Sequence, residues 1–335
     1  MNSYAGKLLI VNLTTGKIYD EPLNATYAAQ YIGGAGLAAR YLYDQIDART
    51  DPLGADNPLI FMSGPLDATA APSCGRYVVV ARSPQTGMYG EANGGNFFGP
   101  DLKLAGYDGI IVRGKSATPV YLLIRNGQIE LRDATHLRGK TTFETGDAIR
   151  TELNDQKITV AAIGPAGENL VKYALILATN PRGKKGIAGR CGMGTVMGSK
   201  NLKAIAVRAG NTKITLHDAA AFNAALRPAI EMLPDDMATQ IWRAVGTAGT
   251  MDFLSLLGDV PTKYWTLGTF DVEKISGTKL AETILTGHAT CHACMVSCGR
   301  RGGRSFSRPT SRTWATSMRP CCVRDVVSRP CACGR

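Results

Sequence analysis

Short apolar runs closed off by turn residues dominate the first 210 residues, and they limit the fold more than any other feature. KLLIVNL (7–13) and KIYDEPL (17–23) flank Thr14-Thr15-Gly16 as a hairpin. PLIFMS (58–63), RYVVVARS (76–83), GIIVRG (109–114), KITVAAIG (157–164) and LKAIAVRAG (202–210) read as further strands, and PVYLLIRNGQIELRD (119–133) turns back at Asn126-Gly127. Helical spacing is confined to two places: from an N-cap at Asn24 through Tyr27, Tyr31, Ala35, Ala38, Leu42 and Ile46, and over 142–153. Gly33, Gly34 and Gly36 weaken the first of these and mark a place where another backbone or a ligand comes close. Many strands with hairpin turns and few crossover helices predict an α+β fold rich in antiparallel sheet, not a doubly wound one. No strict internal repeat is evident in the sequence.

After about residue 212 the pattern turns helical, in HDAAAFNAALRPAIEML (217–233) and DDMATQIWRAVGTAGTMDFLSLL (235–257). The expected organisation is a β-rich domain over 1–210, the start of a helical domain over 211–298, and an arginine-rich tail over 299–335. Most of the chain's formal net charge of +11 belongs to that tail, which holds nine arginines and one acid, Asp325. Basicity of that kind argues against a nucleic-acid-binding face on the folded part, and leaves nucleic-acid binding by the tail as a weaker alternative. Arg, Ser, Pro, Gly and Cys without apolar period suit a frameshifted GC-rich reading or a disordered segment. No apolar run approaches the ~18 residues of a membrane helix. The N-terminus lacks a basic segment followed by an apolar one, so the expected location is cytoplasmic.

Of nine cysteines, Cys74 and Cys191 stand alone and four lie in the tail. The remaining three, in CHACMVSCGR (291–300), have the spacing C-x2-C-x3-C. An odd count without a secretion signal disfavours a disulfide framework and favours ligand chemistry. A zinc site would need a second ligand pair at similar spacing, and a cysteine-ligated cubane needs a fourth thiolate.

The glycine loops exclude more than they assign. Gly192, Gly194 and Gly198 lie close to a dinucleotide fingerprint, but they run into another strand without the acid that a Rossmann loop requires. GGAGLA (33–38) follows no strand, and neither GKS (114–116) nor GSK (198–200) completes a P-loop. What remains is a donor-rich loop flanked by Arg182, Lys184, Lys185 and Arg190, suited to an anionic phosphate-bearing cofactor. YGEANGGNFFG (89–99) reads as a second loop, with Asn93 and two glycines able to press against a flat ring. His136, His217, His288 and His292 form no catalytic motif, although His292 could tune a centre bound by the cysteines. Glu91 and Glu168 sit in glycine loops and carry no assignment.

APSCGRYVVVARSPQTG (71–87), EANGGNFFGPDLKLAGYDGIIVRGK (91–115), IGPAGENLVKYA (163–174), GRCGMGTVMGSKNLKAIAV (189–207) and CHACMVSCGR (291–300) together resemble the aldehyde:ferredoxin oxidoreductase family, over residues 1 to about 300. That resemblance implies a tungsten bis-pterin enzyme, molybdenum being the alternative metal, with one [4Fe–4S] cluster and ferredoxin as partner. It implies that the first domain is a base of paired β-sheets under the two pterins. Arg76 would reach between cluster and pterin, Asn93 and Gly95 would hold the pterin side with Mg²⁺ bridging the phosphates, and Ala188, Gly189 and Arg190 would cradle phosphate. Cys291, Cys294 and Cys298 would be three cluster ligands, the fourth coming in this family from a later domain. Catalytic residues are expected there too, so none is assigned. The loop TNPRGKKGIAGRCG (179–192) is longer than the family pattern. The expected function is oxidation of an aldehyde to a carboxylate or the reverse, in a chain that stops short. Alternatives are a family member acting on another acyl substrate, or a non-catalytic cofactor-binding or electron-transfer fragment. A homo-oligomer is left open.

Overall fold

The computed structural model describes residues 2–182 and 185–303. Its first sheet contains β1 (Lys7–Asn12), β2 (Ile18–Pro22), β3 (Leu59–Ser63), β4 (Arg76–Arg82), β5 (Tyr89–Gly95) and β6 (Gly109–Arg113), in the order β2-β1-β6-β3-β4-β5. The second contains β7 (Val120–Arg125), β8 (Gln128–Asp133), β9 (Thr159–Ala162), β10 (Ile176–Thr179), β11 (Gly186–Ala188) and β12 (Leu202–Val207), in the order β11-β10-β9-β12-β7-β8. Each sheet is antiparallel except for one parallel pair, β1 with β6 and β7 with β12. The expected α+β class with paired, mainly antiparallel sheets is therefore what the chain forms.

Read from opposite ends, the two strand orders are the same topology, so the domain is an internal repeat that the sequence reading did not detect. Local features agree. Gly64-Pro65 follows β3 and Gly164-Pro165 follows β9. Ser63 N donates to Asp108 O at 2.9 Å, and Ile163 N donates to Lys203 O at 3.1 Å. A seven-residue helix precedes the last strand of each half, Phe98–Leu104 in the first and Met193–Ser199 in the second. The second residue of each is a glycine, Gly99 or Gly194, whose absent Cβ lets the helix press onto the carbonyl of Arg76 or Leu175 at the start of β4 or β10.

Alternation along the strands builds the layers. Leu9 and Val11 of β1 join Phe61, Tyr77, Phe98, Leu122, Ile124, Ile205 and Val207 in a core between the sheets. Leu8 and Ile10 face the other way, under the helix Gly34–Tyr43, where they meet Leu37, Ala38 and Tyr41. The outer face of the second sheet is covered by Thr142–Glu152, which opens on a Thr141/Glu144 capping box. The helix expected from Asn24 onwards is two helices, Ala25–Tyr31 and Gly34–Tyr43, because Ile32 ends the first at φ +63°. Gly33 admits the Gly64-Pro65 turn, with an added Cβ only 2.8 Å from Pro65 Cδ.

Beyond residue 218 the described residues form four α-helices, Ala219–Met232, Met237–Val245, Thr250–Leu256 and Gly277–Thr283, and the hairpin β13 (Leu285–Ala289) with β14 (Gly299–Gly302). The sequence reading gave Gly299–Gly302 to the tail; these residues pair in β14. Arg300 there donates to Trp242 O at 2.7 Å and Arg243 O at 2.6 Å, closing the end of Met237–Val245. The remaining tail, 304–335, lies outside the described residues. No helix among the described residues is long and apolar enough to cross a membrane.

Candidate cofactor and cluster site

The cysteines occupy the tip between β13 and β14, and that tip rests on the first sheet. Ser73 N donates to Ala293 O at 2.7 Å, and His292 N donates to Asn96 O at 3.3 Å. Two glycines make the seat. A Cβ on Gly75 would stand 2.6 Å from His292 Cβ and 2.8 Å from its carbonyl oxygen. A Cβ on Gly95 would stand 3.0 Å from Cys291 Sγ and 3.3 Å from an Arg76 guanidinium nitrogen. Ser73 Oγ lies 3.5 Å from Cys294 Sγ.

YGEANGG, expected as a loop, is strand β5, paired with β4 through all seven residues. Its alternation puts Tyr89, Glu91, Asn93 and Gly95 on one face. Arg76 Nε donates to Asn93 Oδ1 at 2.7 Å, and Arg76 N donates to Asp67 Oδ1 at 3.1 Å. Asp67 is buried, and desolvation pushes its carboxyl up to about 7 despite the Gly64 and Arg76 N–H groups and the cations of Lys103 and Arg76. Glu91 accepts from the Tyr89 hydroxyl at 3.3 Å.

The second half offers a corresponding edge. By strand register, with Val78 matching Leu177, Asn93 corresponds to Ile187, Gly94 to Ala188 and Gly95 to Gly189, the second half having one more residue before its helix. The edges adjoin: a Cβ on Gly186 would be 2.7 Å from Asn96 Cβ and from Gly95 O, and Asn96 Nδ2 donates to Ala178 O at 3.0 Å. Gly192 does open a helix, contrary to expectation, but β11 and β12 are separated by β10 and β9, so no dinucleotide-binding βαβ unit forms.

Of the cations expected beside that loop, Arg190 is exposed, while Arg182 is engaged elsewhere. Its guanidinium pairs with Asp101 at 2.5 Å and lies 4.6 Å over the Phe97 ring. Lys185 Nζ sits 4.5 Å over Phe143, and Lys184 lies outside the described residues. Glu168 is held by Lys203 at 2.5 Å and by Gly139 N at 2.9 Å, a structural role. His136 meets Glu152, His217 meets Asn2 and His288 meets Arg300. His292 differs. Its ring stands edge-on to Phe97 at 5.8 Å, burial lowers its pKa, and its Nδ1 is buried with no hydrogen-bond partner among the described residues.

Three thiols on one tip, with an unpartnered buried nitrogen between the first two, fit the soft donor chemistry of an iron–sulfur cluster. Among the described residues no group of three or more Cys, His, Asp or Glu is gathered closely enough to hold a metal ion. The tip thus carries a suitable donor set without a closed ligand cage. Sequence reasoning missed the Gly75 seat and the Asp101–Arg182 pair. The Gly-Pro recurrence at 64–65 and 164–165 was the available signal for the repeat.

Two like sheets meet along the β5 and β11 edges, with the cysteine tip over the β5 side. Residues 8–209 match the profile of the aldehyde ferredoxin oxidoreductase N-terminal domain, and 224–312 match that of domains 2 and 3, past the point near Arg300 where the sequence reading ended the resemblance. The chain belongs to the aldehyde ferredoxin oxidoreductase family. It is 42% identical over 297 residues to the tungsten-containing aldehyde ferredoxin oxidoreductase of Thermococcus kodakarensis, covering 88% of this chain and 48% of the relative. It is 31% identical to the aliphatic sulfonate oxidoreductase, WOR-like subunit, of Pyrococcus furiosus, covering 89% and 49%. The active-site complex BamBC of benzoyl coenzyme A reductase with 1,5-dienoyl-CoA superposes with a TM-score of 0.78 at 33% identity, covering 91% of this chain and 48% of that one. The chain spans about half the length of the curated relatives it matches.

Proposed function

We propose that this chain supplies the cofactor base and three cluster ligands of an enzyme that oxidises an aldehyde to a carboxylate, or runs the reverse. The observation that carries this reading is the pair of corresponding strand ends, Asn93–Gly95 and residues 187–189, on adjoining edges of two like sheets, with Arg190 next in the chain. A ligand with two like halves suits two like edges.

On this reading Arg76, Asn93 and Gly95 hold one half of a tungsten bis-pterin, with molybdenum as the alternative metal. Ala188, Gly189 and Arg190 hold the other, with Mg²⁺ between the phosphates. Cys291, Cys294 and Cys298 are three ligands of a [4Fe–4S] cluster. The metal–pterin group, when bound, supplies the oxygen and two-electron chemistry.

The chain's own residues bind and orient. Arg76 sets a fixed positive charge between Asn93 and Cys291, which offsets the negative charge of thiolates and phosphates. Gly75 and Gly95 bring the tip within van der Waals reach of the sheet edge, which shortens the distance an electron must cross. Gly189 is exposed and Gly95 half-buried, and with no side chain at either, phosphate can approach the backbone there. Ferredoxin is the electron partner this family membership supports. Substrate choice is read by assay, since relatives named for sulfonate and benzoyl coenzyme A share the scaffold.

The test is anaerobic purification from tungstate-fed cells, with tungsten, iron and pterin counted per chain and dye reduction followed with an aldehyde. Tungsten with aldehyde-dependent reduction supports the enzyme. Iron–sulfur absorbance without either supports the electron-transfer or cofactor-binding fragment instead.

A further inference from the structure

The two halves differ at one buried position in a way that reaches the cysteine tip. Asp101 lies in the helix before β6, and the corresponding residue before β12 is Val196; both are almost fully buried, at 1% and 0% exposure. A carboxylate replaces an apolar side chain inside a core, which is costly unless it is fully paired. Among the described residues, its side-chain hydrogen-bond partners come from the second half. Thr159 Oγ1 donates at 2.5 Å, Asn180 Nδ2 at 3.4 Å, and the Arg182 guanidinium at 2.5 Å. Arg182 is also anchored by its own Nε on Asn180 Oδ1 at 3.1 Å. The far face of this guanidinium covers Phe97, and Phe97 meets His292 between two of the cysteines.

We propose that Asp101 and Arg182 act as a positioning clamp, holding the cysteine tip on the first sheet through Phe97 and His292. The clamp lets a charge rooted in the second half control a loop that is hydrogen-bonded to Ser73 and Asn96 of the first. Asp101 orients Arg182, Arg182 fixes the Phe97 ring by stacking, and Phe97 supports the His292 side of the tip. Its consequence for cluster binding rests on the functional reading above, whereas the clamp itself is measurable in the metal-free chain.

The experiment is pulsed alkylation of the metal-free full-length chain with iodoacetamide, each cysteine quantified by mass spectrometry. Arg182 is partly exposed and Arg182→Gln keeps an amide donor there, Asp101→Asn is nearly isosteric, and the Cys191 labelling rate checks that each variant stays folded. Loss of a cation–π contact worth about 1 kcal/mol raises tip opening about fivefold. We expect Cys291 and Cys294 to label about fivefold faster in either variant, with Cys191 unchanged. The double variant should label no faster than either single one, because the two residues act as a unit. Unchanged rates overturn the proposal, as do a parallel rise at Cys191 or additive effects in the double variant. Iron uptake on reconstitution reports separately: a chain that labels selectively yet binds no iron keeps the clamp and loses the cluster assignment.

Discussion

Arg76 Nε donates to the side-chain oxygen of Asn93 at 2.7 Å, which ties the start of β4 to the middle of β5 and holds the guanidinium on the side of Gly95 occupied by Cys291. Both residues are exposed, so the bond contributes little to folding and much to the arrangement of the site. Arg76→Ala is expected to lower stability by no more than about 1 kcal/mol, while pterin and tungsten per purified chain fall several-fold. Arg76→Lys, which keeps the charge without the planar fork, should recover only part of the loss. Thermal melts and metal analysis on the same preparations separate the two effects.

Gly75→Ala and Gly95→Ala both obstruct the seat, one against the His292 backbone and the other against the Cys291 sulfur. Overpacking of this kind costs about 1–3 kcal/mol. The cost should appear as undocking of the tip, with faster proteolysis between 290 and 298 and reduced iron retention. The melting transition of the two sheets should move far less.

Gly99 and Gly194 make the same close approach in the two halves. Alanine at either position should therefore destabilise the β-rich domain by similar amounts, more than about 2 kcal/mol each, because backbone and not a flexible side chain is in the way. Urea denaturation of the two variants is the check; a large effect at only one site would mean that the halves are not packed alike.

Asp67 gives the domain a pH dependence of definite sign. Its carboxyl titrates near 3.8 when unfolded and about 7 when buried, so between those values the native state holds the extra proton. Stability contributed through this group falls as pH rises from about 4 to about 7. Asp67→Asn should flatten that slope. The difference in urea midpoint between mutant and parent should grow across this window and level off above it.

Arg300→Ala removes donors from the Trp242 and Arg243 carbonyls and from Ser297 and Gly299. Hydrogen exchange at the end of Met237–Val245 and in β14 should quicken together, at a cost of about 1–3 kcal/mol, while amides in β1 to β12 stay protected.

Strands buried on both faces were legible because they are continuous apolar runs: Leu59–Ser63 and Leu202–Val207 are buried throughout. Tyr89–Gly95 was not, since glycine and polar residues at an edge carry no strand signature, and its pairing with β4 is visible only in three dimensions. The repeat escaped notice because the halves share topology but few side chains; helices of different length and number fill the space between β2 and β3 and between β8 and β9. Cys291, Cys294 and Cys298 stood out by spacing. Their seat did not, because the contribution of Gly75 and Gly95 is the lack of a side chain. Asp101 was hidden for another reason: a single acid in a seven-residue helix looks solvated until its partners arrive from residues 159 to 182.

The parallel pairs β1 with β6 and β7 with β12 also set a timetable. In each half the strand made last slides between the first and third strands made, so β1 and β3 wait for Gly109–Arg113, and β7 and β9 for Leu202–Val207. Emerging from a ribosome at ~5–20 residues per second, the chain would spend several seconds with two split sheets in succession, each showing unpaired apolar edges to its neighbours. Crowded synthesis, more than the finished molecule's stability, is then the stage at which this protein is most exposed to aggregation.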